Sequence, residues 1–235
     1  MSSHPTPDLV ADRRVERGMR APLARLDALS AAGERPLGWK LGFGTAPAME
    51  RLGISAPLVG FLMQSARVED RATVSIGGMA KPALEPEVAV HLGSDLPAGD
   101  DAATRAAIAG LGPAFELADI DPPPEDVEAI LAANIYQRGV VLGSPADRPS
   151  LEGVAARVVV NGADATVVAD PEGPTGELIG LVRHVADVLA AFGEQLRAGE
   201  VVICGALVPP LSIAPGDRVE YELDLLGGLS LGFRD

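Results

Sequence analysis

The chain has 235 residues, enough for one large domain or two small ones around a substantial core. Apolar residues make up 47% and charged residues 22%, which excludes a disordered chain, and only 3% are aromatic, so Ala, Val, Leu and Ile must build the core. The net charge of -14, with no Lys/Arg stripe interleaved with aromatics, excludes a nucleic-acid binder. It also means that a site for a small anion needs a local positive centre, a metal or a buried lysine.

The first twenty residues lack an apolar core after their charges, so no secretory signal is expected. No stretch approaches the roughly 20 unbroken apolar residues of a membrane helix, and a cytoplasmic location is expected. From Leu9 to Ala32, Val15, Met19, Leu23 and Leu26 recur at steps of three and four, predicting one or two amphipathic helices. Pro22 is expected to break or start one of them, and Gly33 to end the segment. From residue 37 the texture changes to short apolar runs cut by Gly and Pro. Strands are predicted at Val74–Ile76, Glu87–Leu92, Ala156–Val160 and Val201–Cys204. Arg218–Leu225 alternates apolar and charged residues as a half-buried strand does. Gly227-Gly228 then offers a hairpin turn into Leu229, Leu231 and Phe233.

Two helices interrupt the β pattern, a short one near Glu125–Asn134 and a longer one over Glu177–Phe192, closed by Gly193. The prediction is a β-rich α+β chain, with residues 1–36 a helical segment packed on a catalytic core of residues 37–235 in a single domain. Cys204, the only cysteine, lies in an apolar run and reads as a buried structural thiol.

Three segments carry candidate chemistry. In Leu84-Glu85-Pro86-Glu87 the two glutamates project to one side of an extended chain, where like charges repel unless a cation compensates them. Pro86 cannot donate a ladder hydrogen bond, which places the pair at a strand edge or mouth; two solvated glutamates on an edge strand are the alternative. Glu116 sits in the apolar run Ala114–Asp119, where an unpaired carboxylate is expensive to bury. Three carboxylates would form an all-oxygen site for Mg²⁺ or Mn²⁺. Zinc is disfavoured, because His4, His91 and His184 form no ligand-spaced cluster, and the last two read as packing or surface residues. Lys40, between Trp39 and Leu41 and hemmed by glycines, suits either a desolvated catalytic lysine or a lysine snorkelling from a strand.

In this order, Gly38–Gly44 (GWKLGFG), Leu84–Glu87 (LEPE), Ala114–Asp119 (AFELAD), Val140–Pro145 (VVLGSP) and the long Ala191–Asp217 stretch resemble the fumarylacetoacetate hydrolase superfamily, in its 2-oxopent-4-enoate hydratase and 4-oxalocrotonate decarboxylase branch. The resemblance runs from about Leu37 to Phe233. It implies a mixed β-sheet roll with flanking helices, homo-oligomeric assembly, and Mg²⁺ or Mn²⁺ on Glu85, Glu87 and Glu116. It further implies catalytic roles for Lys40 and Glu85, and Asp119 as an acidic neighbour of the metal. Substrate contacts are assigned to Lys40, Leu62, Tyr136, Gln137, Ala206 and Leu207.

The chain departs from that pattern around the pocket. Leu58-Val59-Gly60 stands where many hydratases carry an acidic residue after Pro57. Ile135-Tyr136-Gln137 follows Asn134 where a Ser-Ser pair is usual, and Ala206-Leu207-Val208 replaces a hydroxyl-bearing triplet. A retained metal site with a rebuilt, less hydrophilic pocket is expected, larger at one end, with Tyr136, Gln137 and Arg138 as new polar contacts. The functional expectation is a lyase on a small 2-oxo acid or 2-hydroxydienoate, working through a metal-stabilised enolate and most simply a hydratase. Decarboxylation of a vinylogous 2-oxo diacid is the second reading, and a non-catalytic 2-oxo-acid-binding or partner subunit the third.

Overall fold

The computed structural model describes residues 6–235; His4, named above, lies outside them. Two helices open the chain, α1 (Thr6–Ala11) and α2 (Arg13–Ala31), the second capped by the Asp12 carboxylate on the Arg14 N–H. Pro22 neither breaks nor starts a helix but sits buried inside α2. An interior proline costs roughly 3 kcal/mol, so packing must outweigh propensity here. Gly18, one turn earlier, lies so close to Leu131 that a Cβ would come within 2.9 Å of it.

The chain then alternates strands with short helices: β1 (Pro36–Gly42), α3 (Ala46–Leu52), β2 (Leu58–Met63), β3 (Thr73–Ser75), β4 (Pro82–Leu92), α4 (Asp101–Ala107) and β5 (Ile108–Asp119). Next come α5 (Val127–Ala132), β6 (Gln137–Leu142), β7 (Ala156–Val160), β8 (Thr166–Val168), α6 (Glu172–Thr175) and α7 (Leu178–Ala191). The last strands are β9 (Val201–Ala206), β10 (Leu211–Ser212), β11 (Arg218–Leu223) and β12 (Gly227–Arg234). Mixed sheets with flanking helices are the α+β roll expected from the sequence.

The larger sheet runs β2-β1-β9-β4-β5-β6, with β10 beside β4, and the smaller β3-β12-β11-β7-β8. The larger sheet curls until its ends meet. Val68, just beyond β2, donates to the Val140 carbonyl of β6 at 2.8 Å. The Asn134 side chain accepts from the Phe61 N–H and donates to the Phe61 carbonyl, both at 2.9 Å, as a neighbouring strand would.

Strand alternation divides the side chains of this roll between two cores. Trp39, Leu41, Leu84, Val88 and Phe115 join the large core under the helices and the second sheet. Leu62, Ala89, Ala114, Val140, Leu142 and Ile203 form a separate apolar plug inside the roll. Lys40, Glu85, Glu87 and Glu116 share the inward parity of that plug.

Three local expectations are corrected. The short helix ends at Ala132, and Asn134–Tyr136 forms a turn with three successive positive φ values, 51°, 50° and 63°. The β11–β12 turn falls at residues 224–226, not at Gly227-Gly228, because Gly227 already pairs with Leu223. Gly228 is a close-approach glycine, since a Cβ there would lie 2.9 Å from the Tyr221 carbonyl. Finally, Glu85-Pro86-Glu87 is not on an edge strand. It lies in central β4, and Pro86 falls where β9, pairing from Glu87 onward, gives way to β10, pairing at Leu84. The missing N–H is tolerated at that seam.

The second sheet reaches the site strand through Tyr221. Its ring packs on Phe115 with centroids 5.6 Å apart, and its buried hydroxyl donates to the Glu87 carbonyl at 3.0 Å. Tyr221→Phe keeps the packing and removes the donor, so thermal unfolding is expected to show a loss of about 1–2 kcal/mol, roughly 2–8 °C in Tm. An unchanged Tm would show that this bond does not support β4.

Candidate active site

Glu85 and Glu87 are two apart on β4, and Glu85 pairs directly with Glu116 on β5, so all three carboxylates meet on the inner face. One oxygen from each lies within 4.8 Å of the others. Glu87 and Glu116 are 0% exposed, and Glu85 is half-buried. Lys40 arrives from β1, pairs its ammonium with Glu116, and donates to the Ile135 carbonyl at 3.0 Å. Glu87 receives the Gly205 N–H at 2.7 Å, from a glycine held at φ 94°.

Burial dominates the acid–base state of this cluster. It pushes Glu116 up to about 7, against the opposing pull of Lys40. Glu87 is raised well above the usual carboxylate range by burial and then by Glu116 and Glu85. Glu85 is raised by burial and drawn back by Lys40.

The residues fit a divalent cation. Among the described residues, Glu87 Oε1 and Glu116 Oε2 are buried without any hydrogen-bond partner. Native interiors seldom leave such oxygens unpaired, and a hard cation on three carboxylates would satisfy them. One ammonium does not offset three carboxylates. Cys204, on β9 beside the Gly205 that donates to Glu87, is buried as expected, and burial pushes its thiol up.

A cavity of about 520 Å³ opens onto the cluster, walled by Lys40 and Glu85 on the inner side. Ile135, Tyr136, Ala206, Leu207 and Val208 add a mostly apolar wall. Even the backbone there is committed, since the Leu207 N–H donates to the Pro86 carbonyl at 2.9 Å. Of the substrate contacts named from sequence, Lys40, Tyr136, Ala206 and Leu207 line this cavity. Leu62 does not: it is 0% exposed in the apolar plug, one inward position beyond Gly60 on β2. Gln137 also lies outside the wall, paired with Ala118 at the start of β6. Leu58, 0% exposed, packs in the large core and does not reach the cavity.

Asp119 fastens the loop that leads into β4. Its Oδ1 accepts from the Ala80 and Lys81 N–H groups at 3.0 and 2.8 Å, and its Oδ2 lies 3.7 Å from Arg138. It thus holds the approach to Glu85 through backbone. His184 is a packing residue, 1% exposed, with Nδ1 2.7 Å from the Thr6 hydroxyl and Nε2 2.8 Å from the Pro57 carbonyl.

Sequence reasoning missed the Ile135 carbonyl and the α3 contribution to the wall, Pro47, Ala48 and Arg51. A backbone carbonyl leaves no mark in a sequence. Pro47 and Arg51 are one helical turn apart, a signal that becomes informative only once α3 is known to flank β1.

The profile of the family described as fumarylacetoacetate (FAA) hydrolase C-terminal matches residues 39–232. A 2-hydroxyhexa-2,4-dienoate hydratase from Comamonas testosteroni is 30% identical, over 98% of this chain and 90% of its own. A 4-oxalocrotonate decarboxylase from Pseudomonas sp is 28% identical, over 98% of this chain and 92% of that one. Among solved structures, 4-oxalocrotonate decarboxylase from Pseudomonas putida G7, complexed with magnesium and adipate, superposes with a TM-score of 0.86 at 22% identity, over 99% of this chain and 90% of that one. That likeness bears on the fold, and the profile and the hydratase settle the kinship. The chain belongs to the fumarylacetoacetate (FAA) hydrolase C-terminal family.

Proposed function

We propose that this chain is a divalent-metal-dependent lyase acting on a small 2-oxo acid or 2-hydroxydienoate, with hydration as the first reading. The observation that carries it is the pair of partnerless buried oxygens, Glu87 Oε1 and Glu116 Oε2, beside a cavity walled by Lys40 and Glu85. The names of the hydratase and decarboxylase relatives support the same chemistry, and the magnesium and calcium complexes of the structural neighbours support a divalent ion. Mg²⁺ or Mn²⁺ on Glu85, Glu87 and Glu116 is the assignment made here. A cytoplasmic homo-oligomer belongs to the same reading, on the strength of the family resemblance.

Such an ion, when bound, supplies positive charge against the negative charge that builds on a 2-oxo acid as a proton moves or a C–C bond breaks. The protein's own groups do the rest. An ammonium has three N–H donors, and Lys40 has committed two, to Glu116 and to Ile135, leaving one for a substrate oxygen at the wall. Glu85 is the carboxylate of the three that lines the cavity, so it is the group placed to carry a proton to or from substrate carbon. The Tyr136 hydroxyl is raised by burial and by Asp121 and Asp126, which keeps it protonated as a donor.

Decarboxylation of a vinylogous 2-oxo diacid is the second reading, and a specific observation favours it. Hydration requires a water held against the distal alkene; among the described residues the cavity draws hydroxyls only from Thr45, Tyr136 and Thr175, and Ile135, Ala206, Leu207 and Val208 present none. Loss of CO₂ needs no such water. Offering the purified protein both substrate types, and scoring water uptake against CO₂ release, separates the two. Turnover of neither, with ligand binding intact, would leave the non-catalytic reading.

Lys40→Met is expected to lower kcat by about 10²–10⁴-fold. Its divalent-metal affinity in calorimetry should stay the same or tighten, because a positive charge leaves the carboxylates. Loss of metal binding along with activity would instead make Lys40 structural.

The pH dependence has a definite sign. Glu116 has a folded pKa of about 7 against 4.5 for the free group, so between those values the folded state holds a proton that the unfolded state has released. Stability of the metal-stripped protein is therefore expected to fall as pH rises from about 4.5 to 7. Saturating Mg²⁺ or Mn²⁺ at pH 7.5 should restore it, by about 2.7 kcal/mol at a hundredfold excess over Kd, and Glu116→Ala should abolish that response. Melting curves that ignore both pH and metal would sink the three-glutamate site.

A further inference from the structure

We infer that Arg51 reads a second carboxylate, at the end of the substrate distant from its 2-oxo acid group, so that the preferred substrate is a diacid. This rests on the 2-oxo-acid reading of the inner site and extends it to the part of the cavity lined by α3.

Three charged side chains line the cavity: Lys40, Glu85 and Arg51. The first two belong to the buried cluster, and Lys40 is already committed to Glu116 and Ile135. The Arg51 side chain makes no hydrogen bond or ion pair among the described residues. In a chain with 33 acidic and 19 basic residues, a guanidinium lining an apolar wall without a counter-ion is available to a ligand. Phe43, Pro57, Val208 and Pro209 line the same cavity and bring no charge of their own.

The residue is also held in place. Arg51 lies in the last turn of α3, which presents Pro47, Ala48 and Arg51 to the cavity and Leu52 to the core. The end of that helix is pinned from outside. Arg14 donates to the Leu52 and Gly53 carbonyls at 3.0 and 2.8 Å and is itself locked by Asp12 at 2.7 Å. Gly53 closes the helix in the left-handed region, at φ 60°.

Charge balance gives this arrangement its meaning. Three carboxylates, one ammonium and one divalent ion sum to neutrality, so the inner site has no positive charge left over for a second anionic group. In a protein of net charge -14, a distal carboxylate would be repelled unless a cation met it. A guanidinium fork matches a carboxylate in two parallel hydrogen bonds, which an ammonium cannot do. A substrate ending in a methyl group would leave Arg51 without a function.

The test compares two six-carbon ligands that differ at one end, 2-oxoadipate and 2-oxohexanoate, by calorimetry on the full-length Mg²⁺-loaded protein. Wild type is expected to bind the diacid about tenfold more tightly, with the preference shrinking as salt rises, since the guanidinium is solvent-accessible. Arg51→Met, which keeps the apolar stem, should lose that tenfold preference while 2-oxohexanoate affinity stays unchanged. Arg51→Lys should keep part of the preference. Equal affinity of wild type for the two ligands, or an equal loss on both in Arg51→Met, would overturn the assignment and leave the 2-oxo-acid reading intact. Failure of wild type to bind either ligand would overturn both.

Discussion

Three carboxylates, two buried and one half-buried, with an oxygen of each within 4.8 Å of the others, are the constraint to which much of this structure answers. Like charges in a low-dielectric interior are held apart by repulsion and disfavoured by lost hydration. The fold therefore has to force them together from elements rigid enough to bear the cost. It does so with the two longest strands, β4 and β5, which place Glu85 and Glu116 face to face, and it sends Lys40 in from β1. Compensation is left incomplete, because one ammonium faces three carboxyl groups. Burial raises all three glutamate pKa values, the neighbouring carboxylates add to it for Glu87 and Glu116, and two oxygens are left without partners.

Placing Lys40 has its own cost. Asn134, Ile135 and Tyr136 all adopt left-handed backbone, a region that costs an L-residue roughly 1–2 kcal/mol, and Ile135 is β-branched. The turn is held because the Asn134 amide completes the open edge of β2 through both polar groups of Phe61. Its result is an Ile135 carbonyl turned onto the Lys40 ammonium. Two glycines make room: a Cβ at Gly42 would lie 2.7 Å from Ile135, and one at Gly60 2.9 Å from the Asn134 side chain. Leu58-Val59-Gly60 is thus part of a strand that closes the roll and clears space for Lys40, with Leu58 and Val59 packed in the large core.

Much of this was legible in the sequence, and the limits have physical causes. Alternation along Arg218–Leu223 and the helical spacing through Leu178–Ala191 report which face is buried, so those elements were readable. The shared side of Glu85 and Glu87 follows from strand geometry, and Glu116 stood out as a charge in an apolar run. What local patterning cannot report is pairing between distant segments. The seam of β9 and β10 that lets Pro86 sit in a central strand joins residues about 120 positions away. The same holds for Leu62: its inward parity is a local property, but whether it faces substrate or fills the plug depends on where the roll narrows. Pro22 shows the reverse case, where propensity predicts a break and packing prevails.

The structure divides the work of the site between two sets of elements. The roll interior, from β1, β4, β5 and β9, fixes the carboxylates and the lysine; Lys40, Glu87 and Glu116 are held by register on both sides and Glu85 by its pairing with Glu116. The outer wall is drawn from α3, the turn at Asn134–Tyr136 and the segment after β9, none of which carries the buried charge. Asn134 apart, whose amide holds its turn against β2, side chains on these segments can change without disturbing the pairing that holds the glutamates. That separation allows Glu85, Glu87 and Glu116 to be held together while Ile135, Ala206, Leu207 and Val208 line the cavity. The chemistry follows from the charge buried in the roll, and the choice of substrate from a wall built on elements free to vary.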